Sequence, residues 1–222
     1  MFHKLFELMK SRYSKLVAGV IALLLSALVI PISLIAQDTR TGIKGGLNVS
    51  NLYIDDVSDE SLRPGFHIGV FTQLPISEFF VIQPEITYST KGARATYNTE
   101  LINLEGEYKF NLNYVDVPIL AAFKLGESAT IHVGPYVSYL TNASISTDGD
   151  VVEGAADLNR DHFSTIDYGL SAGFQLNFSA ISVGTRYNYG LGQVANSEEA
   201  ELILGDARNS LAQVYVALNL LY

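Results

Sequence analysis

Six charged residues stand at positions where charge is costly: Lys44, Glu85, Asp116, Lys124, Asp167 and Arg186. Each falls on the polar side of a segment whose other side is apolar. In ISVGTRYNYGLG (181–192), Ile181, Val183, Thr185, Tyr187 and Tyr189 alternate with Ser182, Gly184, Arg186, Asn188 and Gly190. A period of two is that of a strand with one apolar and one polar face. If the polar face looks inward, these six residues line a narrow lumen, with His67 and His132 beside them. Buried charges must be paired or hydrogen-bonded. The chemistry expected of them is therefore a structural ion network that plugs the lumen. The competing reading is a narrow conduction path, with Arg186, Asp116 and Glu85 at its constriction and Lys44 nearby.

Other candidates for chemistry are weaker. His67, His132 and His162, with neighbouring serines, are the residues a lipid-modifying rim enzyme would use, but no Ser–His–acid arrangement is recognisable. DGD at 148–150 resembles a fragment of a calcium loop without the remaining ligands. The glycine pairs and singles (45–46, Gly69, Gly134, Gly169, Gly173, Gly184) are not followed by helices, so they do not form phosphate loops. On a lumen-facing side they make room for bulky neighbours. No catalysis, metal or cofactor is expected.

The elements that must position these residues are strands. Period-two segments recur near 40–50, 64–74, 79–91, 112–125, 129–141, 165–177, 180–190 and 211–222. Their links alternate in length. PISE (75–78), GES (126–128) and FSA (178–180) are tight, whereas the others are long and acidic. Those long links hold Asp55, Asp56, Asp59 and Glu60; Glu100, Glu105 and Glu107; Asp148, Asp150, Glu153, Asp157 and Asp161; and Glu198, Glu199, Glu201 and Asp206. Alternating short turns and long loops are the pattern of an outer-membrane barrel, with the turns and both termini on the periplasmic side. The expected fold is therefore all-β, an eight-stranded antiparallel transmembrane barrel. Eight strands close around a lumen just filled by side chains.

Direction supplies a second test. With the short turns periplasmic, Tyr88, Tyr139, Tyr168, Tyr187 and Tyr189 fall toward the outer rim. Phe80, Phe123 and Tyr222 fall toward the periplasmic rim. Aromatic residues gather at both water–lipid boundaries of such barrels. In the last strand Val214, Val216, Leu218, Leu220 and Tyr222 alternate and end on an aromatic, the form of a barrel-insertion signal read by assembly machinery.

Composition agrees. Hydrophobic residues make up 48% of the 222-residue chain and charged residues only 17%, with 18 Gly, 13 Tyr, 11 Phe and no Trp. The absence of Cys excludes disulfides and thiolate sites. A formal net charge of −9 argues against nucleic-acid partners. Lys4, Lys10, Arg12 and Lys15 precede the uncharged run 16–36, the layout of a signal peptide. Residues 1–37 are thus expected to be an export signal, cleaved near Ala36 or Gln37, and 38–222 the barrel. The competing assignment for 16–36 is an uncleaved transmembrane helix.

GIKGGLNVSNL (42–52), GFHIGVFTQLPISEFFVIQPEITYSTKGA (65–93), YVDVPILAAFKLG (114–126), HVGPYVSYL (132–140) and ISVGTRYNYGLG (181–192) carry a resemblance. Together they resemble the PorT-like outer-membrane β-barrel family of Bacteroidota. The resemblance implies an eight-stranded barrel in the outer membrane of a Gram-negative cell. The family namesake's place in the type IX secretion and gliding apparatus makes an envelope or secretion-system protein the implied partner, although kinship of fold does not transfer that role. The remaining expected partners are outer-membrane lipid, lipopolysaccharide and the assembly machinery. The role expected is structural or interactive, with a narrow porin-like channel as the alternative.

Overall fold

A computed structural model describes residues 39–53, 62–99, 104–149, 154–157, 164–194 and 207–221. The expected export signal, Tyr222 and His162 lie outside these residues. Nine strands are described: β1 (Arg40–Tyr53), β2 (Arg63–Pro75), β3 (Phe80–Thr99), β4 (Leu104–Leu125), β5 (Ala129–Gly149), β6 (Gly154–Asp157), β7 (Ile166–Phe178), β8 (Ile181–Gln193) and β9 (Arg208–Leu221). All neighbours are antiparallel, in the order β4-β3-β2-β1-β9-β8-β7-β5, and β4 pairs with β5 to close the ring. Eight strands therefore form the barrel, and the short β6 adds to the outer part of β5. Closure leaves no exposed edge within the bilayer, as a membrane wall requires.

The short connections are tight. Ile76 and Ser77 donate their backbone N–H groups to Phe80 O, at 2.9 and 3.1 Å, and close the β2–β3 turn. Gly126 takes φ 68° in the β4–β5 turn, and Ser179 takes φ 51° in the β7–β8 turn. The long outer connections depart from expectation. Residues 92–111 read as loop in the sequence because polar residues occupy both faces. Instead the β3–β4 ladder runs on to Thr99↔Leu104, and β4–β5 pairing reaches Gly106↔Gly149. Water on both sides of a sheet removes the period-two signal without removing the ladder.

Alternation sorts the side chains in two sets. Ile43, Leu47, Phe66, Ile68, Val70, Leu170, Phe174, Val214, Val216, Leu218 and Leu220 are exposed on the outside of the ring. Tyr88, Tyr139, Tyr168, Tyr187, Tyr189 and Phe123 are exposed on the same surface. Phe80 is half-buried and packs against Phe123 with the rings tilted and their centroids 5.1 Å apart. The inward set is buried and mostly polar. A soluble protein would have these sets the other way round. On β4 the inward side also carries two apolar residues, Leu120 and Ala122, and both are buried in the interior.

Candidate functional site: the lumen

The lumen holds two ion clusters. In the first, Arg186 on β8 donates from Nη1 and Nη2 to Glu85 Oε2 and Oε1 on β3, both at 2.7 Å. This two-pronged geometry is the strongest available to such a pair. Lys44 on β1 approaches the same carboxylate at 3.1 Å, and Gln83 donates to it at 2.7 Å. Arg186 Nε also donates to His132 Nε2 at 3.2 Å. Tyr215 lies beneath the cations, its ring centroid 4.0 Å from Lys44 Nζ and 5.6 Å from Arg186 Cζ. The negative face of a ring favours this placement. Two cations thus share one carboxylate.

The second cluster reverses that ratio and sits nearer the outer mouth. Lys91 on β3 stands 2.9 Å from Asp116 Oδ1 and 3.6 Å from Asp167 Oδ2. It donates to Ser138 Oγ at 3.1 Å. The rings of Tyr114 and Tyr136 flank it, with centroids 4.6 and 5.2 Å from Nζ. Asn209 donates to Asp167 at 3.0 Å. Here one cation serves two carboxylates.

Amides and hydroxyls fill the space around the clusters. Asn48 accepts from His67 Nδ1 at 2.7 Å and from Gln213 Nε2 at 3.1 Å, and it donates to Ser89 Oγ at 3.0 Å. Ser171 donates to Asn188 Oδ1 at 2.7 Å. Gly169, Gly173 and Gly184 lie where a Cβ would strike Tyr136, His132 and Tyr215, respectively. These glycines make room for the three rings, the packing role expected from the sequence. Above the second cluster, Leu112, Tyr114, Leu140, Ala143, Val194 and Ala207 form an apolar layer. Between the clusters, Lys44, Asp116, Tyr136 and Arg186 help line a cavity of about 10 Å³. That is room for about one water molecule.

Five of the six charges singled out in the sequence meet in this interior, but their pairing differs from the expected constriction. Asp116 pairs with Lys91, not with Arg186. Lys91 is the residue that sequence reasoning left out of the charge network. Its place on the polar face of the third strand was the available signal. Lys124 does not join either cluster: it is half-buried one residue before the end of β4, with no ion pair among the described residues. A long side chain at a barrel mouth reaches water, so it needs no buried partner. Tyr215 was also missed, because its inward position follows only from the outward alternation of its neighbours. His67 and His132 are buried in the polar network.

Comparison with known proteins adds the following. A family model described as "Outer membrane protein beta-barrel domain" matches residues 35–196. The structure is similar to that of Neisserial surface protein A, at 13% identity and a TM-score of 0.50, covering 82% of this chain and 99% of that one. It is similar at the same coverage to Ail, the attachment invasion locus protein of Yersinia pestis, at 14% identity and a TM-score of 0.43. OprG of Pseudomonas aeruginosa matches at 13% identity and a TM-score of 0.36, covering 81% of this chain and 92% of that one. No curated protein sequence matches the chain.

Proposed function

The chain belongs to the outer membrane protein β-barrel domain family, and we propose that within it this protein is a closed scaffold that binds a partner, not a channel or an enzyme. It is an integral β-barrel of the bacterial outer membrane. The observation that carries the reading is the filled lumen. Two buried ion clusters and an apolar layer occupy the described interior, and the cavity between them has room for about one water molecule. Such a lumen favours rigidity over transport. His67 and His132, the described histidines an enzyme would use, are engaged by Asn48 and Arg186, which supports a role without catalysis.

An interaction role fits the charge of the long connections. Residues 54–62 and 195–206 each hold four acidic residues and no Lys or Arg. The resemblance of 42–52 and 181–192 to the PorT-like family supports an accessory place in a secretion or envelope system. The exposed Val216, Leu218 and Leu220 of β9 support recognition by the barrel assembly machinery.

Two measurements test this. Crosslinking and co-purification of a loop-tagged barrel from native outer membranes is expected to recover a stoichiometric envelope protein. The purified barrel in a planar bilayer is expected to show no discrete conductance. Steady single-channel openings that change when Arg186 is neutralised would replace this reading with the narrow channel.

A further inference from the structure

One level of the barrel wall crosses the gap between the two ion clusters. Lys44 on β1 is in register with Gly69 on β2, Gly69 with Thr87 on β3, and Thr87 with Asp116 on β4. Lys44 belongs to the cation-rich cluster and Asp116 to the carboxylate-rich one. Strand alternation turns all four positions inward. Gly69 brings no side chain to this level, and a Cβ there would lie 2.8 Å from Thr87 Oγ1. The Thr87 hydroxyl therefore lies beside the glycine, on a level whose two ends are an ammonium and a carboxylate.

Lys44, Thr87 and Asp116 are buried, and all three line the cavity of about 10 Å³ between the clusters. Their neighbours around it are engaged elsewhere. Ser171 donates to Asn188, Gln213 to Asn48 and Tyr136 to Asp167, and Arg186 directs both Nη groups at Glu85. Thr87 Oγ1, in contrast, has no hydrogen-bond partner among the described residues. A buried hydroxyl is costly to leave in that condition. Lys44 carries three N–H donors, and among the described residues only Glu85 accepts from it. Asp116 meets Lys91 at Oδ1, and a carboxylate has acceptor sites beyond one.

We propose that this cavity binds one structural water molecule, which accepts from Lys44, donates to Asp116 and shares a hydrogen bond with Thr87 Oγ1. The water joins the two clusters into one network and takes the place of the side chain that Gly69 lacks. Buried waters make about three hydrogen bonds, and these three groups supply them. Size and charge both select the occupant. The volume admits about one water. The two clusters together hold three cations and three carboxylates, so a neutral occupant keeps that balance and an ion upsets it. The site needs no partner protein, but it rests on the closed lumen of the reading above, because a conducting lumen would hold a file of waters.

The test is a crystal structure of the full chain, fine enough to show ordered water, with bromide as the halide and rubidium as the alkali cation. One oxygen-sized peak without anomalous signal is expected within about 2.7–3.2 Å of Lys44 Nζ, Thr87 Oγ1 and an Asp116 oxygen. Anomalous scattering from bromide or rubidium at that place overturns the proposal, because the site then takes an ion. A cavity without a peak overturns it as well. Exchange of the water with bulk is read by oxygen-17 relaxation dispersion on the full chain in lipid nanodiscs. Thr87→Val keeps the shape and removes the hydroxyl, and is expected to speed that exchange about fivefold, the effect of one hydrogen bond. Thr87→Ser keeps the hydroxyl and is expected to leave exchange unchanged. Exchange indifferent to Thr87→Val overturns the site as assigned. A file of waters through a conducting barrel overturns the site and the closed lumen together. A non-conducting barrel without the peak overturns the site alone.

Discussion

The two ion clusters of the lumen are built from the same residue types in opposite proportion. Around Glu85, two cations and Gln83 converge on one carboxylate whose side chain is fully buried, with bonds of 2.7–3.1 Å. Around Lys91, one ammonium spans two carboxylates, and the longer contact is 3.6 Å. Lys91 meets Asp116 at Oδ1 alone, and Asp167 Oδ1 receives no hydrogen bond from the described residues. Arginine's planar fork accounts for the first geometry, and lysine's single point charge for the second. The first cluster carries an excess positive charge and the second an excess negative one, so the two offset each other only when taken together. The difference teaches that a buried charge is dangerous in proportion to what its removal leaves behind. Among the described residues of the first cluster Glu85 alone holds both cations, whereas in the second either aspartate can be lost with Lys91 still paired.

Three substitutions test this contrast. The chain has no Trp, so unfolding in detergent is best followed by circular dichroism or by the heat-modifiable gel shift of the folded barrel. Glu85→Gln keeps the side chain's size but strands Arg186 and Lys44 without a counter-charge. It is expected to lower the free energy of unfolding by about 3–5 kcal/mol. Asp167→Asn removes one of two like charges and keeps an oxygen for Asn209 and Tyr136. Its expected cost is below about 1 kcal/mol, and a cost equal to that of Glu85→Gln would erase the distinction between the clusters. Lys124→Gln is expected to change stability by no more than about 0.5 kcal/mol. A larger loss would place that lysine back in the network.

How much of this was legible beforehand depends on the range of each interaction. Which face of a strand each residue takes is a local property with period two. Ile181 through Gly190 show it directly, and so do 166–177. The tight turns at 75–78, 126–128 and 178–180 were legible for the same reason. The pairings inside the lumen were not. Glu85 and Arg186 are 101 positions apart, and nothing local distinguishes Arg186 from Lys91 as the partner of Asp116. The outward run of β3 and β4 past the membrane was hidden because a sheet wetted on both faces leaves no alternation to read.

Sequence alone determined that this chain alternates, turns tightly on one side only, and must close to satisfy its backbone in lipid, because those constraints act on neighbouring residues and on the solvent each face meets. Only the tertiary structure decided which charges share a partner and which lysine escapes to the rim. Those outcomes depend on strand stagger and side-chain reach across a lumen, and residues far apart in the chain become neighbours there only once the ring has closed.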